Sequence, residues 1–371
     1  MTTTLFDPIK LGDYHLNNRV FMAPMTRARS GPTGVPTDTV ATYYAQRASA
    51  GLIITEATAV DPRGDGWPGA PGIYTDAQQS GWKLVADAVH AKGGHIFMQL
   101  WHMGRAVLTE SIGGQRALAP SPIAAEGALP NSQGVPTAFE TPEEMSVAQI
   151  KDAVRAFATA ARRAVDAGLD GIELHAANNF LIDAFLRDGT NQRRDEYGGS
   201  IENRSRFLLE VVDAVVAEIG AGKVGVRFSP TNAVFGISDT NPEATFTYAA
   251  RQLSKRKLAY LHVLEPALDS GSSMSVGLPQ VAPALRAAYD GLLILNGSLN
   301  KSDGQDAISN GRAEAVAYGI PFIANPDLVE RYQSDLALSE PNPDTFYSGG
   351  SKGYVDYPNA VLEPAWDKIT V

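Results

Sequence analysis

The chain has 371 residues, of which 44% are hydrophobic and 19% are charged. This composition is typical of a folded protein with a sizeable core, and it excludes a disordered or fibrous one. The 41 acidic and 31 basic residues give a net charge of −10, which disfavours nucleic acid or an anionic membrane as a partner. Without cysteine the chain has no disulfides, thiolate nucleophiles or cysteine metal sites. Its chemistry must therefore use oxygen and nitrogen groups or a bound cofactor.

The sequence carries no sign of membrane insertion or export. The first ten residues lack a basic segment followed by an apolar one, and no run of about 18 apolar residues occurs. We therefore expect a soluble, cytoplasmic protein.

Eight short apolar runs alternate with longer amphipathic segments, a pattern that indicates βα units and a parallel sheet. The runs are residues 19–23, 51–56, 95–100, 171–175, 224–228, 260–264, 292–296 and 315–318. Helical spacing is found at residues 76–90, 147–166, 201–219, 244–253 and 303–310. Strict alternation over eight units favours an α/β fold of one kind, a closed (β/α)8 TIM barrel, over an open sheet.

We expect residues 1–371 to form a single barrel domain, since no change of composition marks a second one. The longest connection, residues 106–145, follows the third strand and is expected to be an elaborated loop on the carboxyl-terminal face. The tail, residues 335–371, is expected to pack on the barrel.

Polar and small residues follow most of the apolar runs, at the barrel edge where active sites are built. Arg227 is the most unusual, because it lies inside the apolar strand VGVRF and a buried guanidinium needs an anionic or carbonyl partner. It either contacts a ligand or forms an internal ion pair with a carboxylate such as Glu56. His175 and Asn178 end the fourth run and could point into one pocket. The six histidines show no spacing typical of a metal site.

The chain resembles the Old Yellow Enzyme family of FMN-dependent ene reductases along essentially its whole length. The matching segments include YYAQRASAGLIITEAT, QLWHMGR, GIELHAAN, DEYGGSIENR, GVRFSP and FIANPDLVERY. This resemblance implies a barrel with FMN at its carboxyl-terminal mouth, reduced by NADH or NADPH and reoxidised by an α,β-unsaturated carbonyl compound.

The resemblance also implies roles for individual residues. Pro24, Met25 and Thr26 would line the flavin ring, with Thr26 tuning its electronics. Ala57 and Gln99 would bond its pyrimidine edge, and Arg227 would stabilise the reduced ring. His175 and Asn178 would hold the substrate carbonyl. The pocket walls would be Trp67, Trp101 and Tyr354, and the phosphate would lie at Gly297, Ser298, Gly319 and Ile320.

Four positions depart from the family pattern. Asn179 and Phe180 replace a Gly-Tyr pair whose tyrosine delivers a proton, and phenylalanine cannot donate one. Ser298 replaces a phosphate-site glycine, and Ile320 replaces an arginine, which removes a contact worth about 30- to 1000-fold in affinity. These changes bring FMN retention into question.

Three functions therefore remain open. The first is an FMN-dependent oxidoreductase acting on activated alkenes with altered proton delivery. The main alternative is a flavin-independent barrel that isomerises or cyclises an enone-like substrate, and the third is a ligand-binding barrel without turnover. Each would be a monomer or homodimer that takes a small molecule and has no nucleic-acid or membrane partner.

Overall fold

The computed structural model describes residues 2–266 and 278–360. Eight parallel strands form a closed barrel, in which each strand pairs with the next and the last pairs with the first. The strands are β1 (Val20–Met22), β2 (Ile53–Ile54), β3 (Ile96–Trp101), β4 (Gly171–Ala176), β5 (Val224–Phe228), β6 (Tyr260–Leu264), β7 (Leu293–Asn296) and β8 (Ala315–Tyr318). The predicted (β/α)8 barrel is confirmed.

Helices surround the barrel, and several begin at capping residues that the sequence displays. Thr75 and Ser146 form capping boxes with Gln78 and Gln149, which satisfy the backbone N–H groups of the N-cap residue and of the third helical residue in each helix. The helices are α1 (Asp38–Ala45), α2 (Asp76–His90), α3 (Val147–Asp166), α4 (Leu181–Leu186), α5 (Ile201–Ile219), α6 (Pro242–Ser254), α7 (Ala282–Ala288), α8 (Lys301–Ser309), α9 (Ile320–Ala324) and α10 (Leu328–Gln333). None of these helices is long and apolar enough to cross a membrane.

The barrel interior is packed with side chains at its amino-terminal end. A hairpin of Ile9–Leu11 and Tyr14–Leu16 closes this end and contributes to the inner apolar cluster. Higher up, Tyr260 occupies space beside Gly225, where a Cβ atom would come within 2.2 Å of the tyrosine ring. Gly225 therefore lets this ring fill the barrel below the site.

The second strand is shorter than expected. Residues 51–56 were predicted to be extended, but β2 ends at Ile54, and a separate strand, Thr58–Ala59, pairs with β3 again. The interruption occurs because the Glu56 carboxylate accepts hydrogen bonds from the backbone amides of Arg27 and Ala28, at 2.9 and 3.0 Å. The strand prediction was wrong here because this carboxylate has partners distant in sequence.

The connection at residues 106–145 covers one side of the carboxyl-terminal face. It contains the hairpin Ala128–Pro130 with Pro136–Ala138, and Leu118–Ala119 pairs with Glu143–Glu144. Its apolar side chains form one buried cluster with Trp101 and Phe180. The loop is thus continuous with the wall of the site described below.

The described part of the tail lies beside the loop that follows β1. Arg27 donates to the backbone oxygens of Phe346 and Gly353, both at 2.9 Å, and Arg29 donates to that of Phe346 at 2.8 Å. Residues 361–371 of the predicted tail lie outside the described residues. These contacts bring Phe346 and Tyr347 to the mouth of the barrel.

Candidate active site

A cavity of about 550 Å³ opens at the carboxyl ends of the barrel strands. Its lining comes from strand ends and loops that are far apart in sequence. Most residues singled out from the sequence line it: Pro24, Met25, Thr26, Ala57, Trp67, Gln99, Trp101, His175, Asn178, Phe180, Arg227, Gly297, Ser298, Gly319 and Ile320.

Arg227 lies on the floor of this cavity, at the end of β5. Its Nη2 donates to Oδ1 of Asn296 at 2.9 Å, and Nδ2 of Asn296 donates to the backbone oxygen of Ala317 at 2.8 Å, which orients the amide. Burial lowers the pKa of Arg227, and the Glu173 carboxylate partly opposes this effect. The Arg227 Nε is buried and has no partner among the described residues. Glu56, engaged elsewhere, does not supply one.

Beneath the floor, the buried carboxylate of Glu173 fixes the position of Gln99, a second residue that lines the cavity. Glu173 accepts from Nε2 of Gln99 at 2.7 Å and from Nδ1 of His262 at 2.8 Å. Both partners and Glu173 itself are almost fully buried. The Glu173 bond orients the Gln99 amide so that its oxygen remains available to a ligand.

His175 and Asn178 bring two further polar side chains to the cavity, and His175 lies beside Arg227 on the neighbouring strand. Asn178 has a left-handed backbone (φ 58°). Its backbone N–H donates to Oγ of Ser229 at 2.9 Å, and its side-chain Oδ1 accepts from Nδ2 of Asn232 at 2.7 Å. Because that oxygen is engaged, the Asn178 Nδ2 remains as a donor toward the cavity. Asn232 was not singled out from the sequence, which has no local signal that would have indicated it.

His175 is held neutral. Burial, followed by the positive charge of Arg227, holds its pKa well below the usual value. A neutral imidazole carries one N–H donor, and the His175 Nδ1 is buried without a partner in the described part of the chain. His175 and Asn178 together therefore offer neutral donors to a ligand oxygen.

Phe180 and Trp101 form an aromatic wall next to His175. The Phe180 ring lies edge-on to Trp101 and to His175, with centroid distances of 4.7 and 4.8 Å. Phe180 is 6% exposed. The wall provides shape and an apolar surface but no ionisable hydrogen at this position.

Asn179 connects the site to the covering loop. In a left-handed conformation (φ 66°), its Oδ1 accepts from Nε of buried Arg105 at 2.9 Å and its Nδ2 donates to the backbone oxygen of Phe235 at 3.0 Å. Arg105 also donates to the backbone oxygens of Ile123 and Ala124 in the loop, at 3.2 and 2.8 Å. The Asn179 side chain therefore has a structural role, which the glycine usual at this position in the family could not have.

Replacing Asn179 by glycine is expected to destabilise the protein by about 2 kcal/mol, because Arg105 would lose an acceptor while buried. Glycine suits the left-handed backbone, so the loss reports the side chain. Lys257→Gly is the matched control, since Lys257 is exposed and also left-handed (φ 54°). Chemical unfolding measures the free energy of unfolding of both variants. If Asn179→Gly were as stable as Lys257→Gly, the role assigned to the Asn179 side chain would be contradicted.

Tyr354 is not among the residues that line the cavity. Its ring is buried and stacks on Tyr43 at a centroid distance of 4.1 Å. Phe346 and Tyr347 line the cavity on the tail side instead. The sequence did not indicate this pair. The tail segment reaches the mouth of the barrel through hydrogen bonds from Arg27 and Arg29, which lie more than 300 residues earlier in the chain.

The floor suits a planar ligand with a polar edge. The unpartnered Arg227 Nε and the oriented Gln99 amide face it from below, and Pro24, Met25 and Ala57 provide apolar contact. At the far end, Gly297 has φ 146°, and a Cβ atom there would lie 2.5 Å from the backbone oxygen of Glu265. A flavin ring fits these residues, with the Arg227 and Gln99 side chains at its polar edge.

This barrel and site define a flavin-binding oxidoreductase. The NADH:flavin oxidoreductase / NADH oxidase family model matches residues 4–339. The chain is 42% identical over 361 residues to 12-oxophytodienoate reductase 2 of Arabidopsis thaliana, covering 96% of this chain and 95% of that protein. The chain belongs to this family, the Old Yellow Enzyme family.

Solved structures agree with this assignment. The Old Yellow Enzyme homologue NCR of Zymomonas mobilis has a TM-score of 0.94 and 43% identity, covering 96% of this chain and 99% of NCR. Morphinone reductase has a TM-score of 0.93 and 46% identity, with 97% of both chains covered.

The predicted enzyme class and cofactors are thus confirmed: the chain is an FMN-dependent oxidoreductase with NAD(P)H as reductant. Family membership does not favour the flavin-independent isomerase or cyclase that the sequence left open.

Proposed function

We propose that this enzyme reduces alkenes conjugated to a carbonyl group, with His175 and Asn178 holding the carbonyl oxygen. The observation that carries the proposal is the pair of neutral donors beside an apolar wall, in which Ser229 and Asn232 position Asn178. Relatives named as reductases of 12-oxophytodienoate and morphinone support a substrate of this kind. That the chain acts as a monomer or homodimer on a small molecule stays a prediction.

Each residue has a defined part in this reaction. Arg227 and Gln99 would hold the ring of FMN, which, once reduced by NAD(P)H, would supply a hydride to the β-carbon. His175 and Asn178 donate hydrogen bonds to the carbonyl oxygen and stabilise the negative charge that develops there. Phe180 excludes bulk water from one side but has no proton to give, so the α-carbon takes its proton from water.

Removing either donor is expected to lower kcat/KM for 2-cyclohexenone by about 100-fold, the usual cost of one oxyanion donor. The variants are His175→Leu and Asn178→Leu. Asn232→Leu is the matched control: it removes the group that orients Asn178 but leaves both donors, so a smaller loss is expected. Flavin content is measured in parallel, to separate substrate binding from cofactor loss.

Unchanged kcat/KM in both donor variants would contradict the assigned carbonyl site. Conversion of an enone without reoxidation of the flavin would instead support non-redox chemistry.

A further inference from the structure

One end of the cavity is bounded by the loops after β7 and β8. In (β/α)8 barrels this is the usual place for a ligand phosphate. The residues that line this end are Asn296, Gly297, Ser298, Leu299, Gly319, Ile320 and Pro321. None of them has an ionisable side chain. Ile320, the first residue of α9, is 58% exposed, so an apolar side chain faces water where a phosphate would be held.

The arginines that line the cavity are committed elsewhere. Arg227 lies on the floor and bonds to Asn296. The Arg27 guanidinium donates to the Tyr43 hydroxyl at 3.1 Å and to the backbone oxygens of Phe346 and Gly353. The Arg27 guanidinium is therefore engaged by other groups, whereas Arg227 is held by Asn296 on the floor, where its free Nε serves the ring of a bound flavin.

Two further cations lie near these loops but face other groups. Arg47 donates to the backbone oxygens of Phe322 and Ile323, both at 2.8 Å, at the carboxyl-terminal part of α9. Lys301, at the start of α8, is ion-paired with Asp335. Within residues 2–266 and 278–360, no lysine or arginine is thus among the residues that line this end. Residues 267–277 contain neither lysine nor arginine, and residues 361–371 contain one lysine, Lys368.

We propose that this site binds riboflavin and FMN with comparable affinity, because the phosphate gains no charge-assisted contact. The proposal rests on the flavin site of the proposed function. Backbone amides can still contact a phosphate, but α9 has only five residues and a correspondingly small dipole. Affinity for flavin would come mainly from the ring, through Arg227, Gln99 and the apolar contacts.

The test is titration of the apoprotein with FMN and with riboflavin. Quenching of the flavin fluorescence reports binding in each titration. We expect the two dissociation constants to agree within about tenfold, and the FMN value to change little with salt, since no exposed ion pair is there to be screened.

Three variants at position 320 sharpen the test. Ile320→Arg should tighten FMN binding by about tenfold or more and leave riboflavin binding unchanged. Ile320→Glu should weaken FMN binding alone, and Ile320→Met, the matched control, should change neither. Thermal melts check that each variant folds, which the exposure of Ile320 favours.

A wild-type preference for FMN above about tenfold, or an FMN affinity that falls steeply with salt, would overturn the proposal and indicate a cation at the phosphate. Equal responses of both flavins to Ile320→Arg would overturn it too, since position 320 would then not face the phosphate. If the apoprotein bound neither flavin, the flavin site of the proposed function would be refuted. A strong preference for FMN would refute only the present proposal.

Discussion

Replacing Arg227 by alanine is expected to lower the rate of flavin-dependent reduction by about 100-fold or more while the barrel still folds. The guanidinium is the fixed positive charge on the cavity floor, and its only hydrogen bond among the described residues goes to Asn296. Negative charge on a bound ligand would lose this stabilisation. The fold should persist because Glu173 keeps its two donors, Gln99 and His262.

A reduction assay with 2-cyclohexenone measures the rate, and thermal melts with and without FMN measure the fold and the binding of FMN. FMN at 100 times its dissociation constant should raise the free energy of unfolding of the wild type by about 2.7 kcal/mol, and the same FMN concentration should do less for Arg227→Ala. Arg227→Lys is the matched control, because it keeps the charge and loses the planar group, so an intermediate rate is expected. A variant that reduces substrate at the wild-type rate, or that unfolds even without FMN, would contradict the assignment.

Replacing Phe180 by tyrosine is expected to accelerate alkene reduction by about tenfold or more. General acids typically contribute about 100- to 10,000-fold, and a phenol that is not ideally placed supplies part of this. The Phe180 ring already lies in the cavity wall, edge-on to His175 at 4.8 Å. A hydroxyl on this ring would place a proton donor beside the substrate carbonyl site.

The measurement is single-turnover oxidation of pre-reduced enzyme by 2-cyclohexenone, in water and in heavy water. Phe180→Leu is the control for packing without a donor and should not be faster than the wild type. Combining Phe180→Tyr with Asn179→Gly tests whether the Asn179 bonds to Arg105 and Phe235 hold the ring in an unproductive position. Fast wild-type turnover with no gain in either tyrosine variant would show that water already delivers the proton efficiently.

Local sequence signals predicted the regular elements that depend on them. Helices α2, α3 and α5 begin and end where the apolar spacing and the residues before them indicate, with Thr75, Ser146 and Ser200 as N-caps. The third to eighth strands fall within one residue of the apolar runs. The second strand does not, because Glu56 bonds to backbone amides of another loop.

For the candidate site, the sequence indicated which strand ends carry polar groups but not how those groups pair. Arg227 was recognisable as a charge inside an apolar strand. Its actual partner, Asn296, belongs to β7, and Asn232, which orients Asn178, lies in the loop after β5. Tyr354, expected at the pocket wall, stacks on Tyr43 instead.

The sequence by itself determined the barrel, the family and most of the residues that line the cavity, because strand periodicity, capping residues and long matching segments are local properties of the chain. Only the tertiary structure decided which donors remain free, which cations are already committed and that Asn179 connects the site to its covering loop. Hydrogen bonds and charge compensation between side chains depend on distances of a few ångströms between residues far apart in sequence. The closure of the barrel sets those distances.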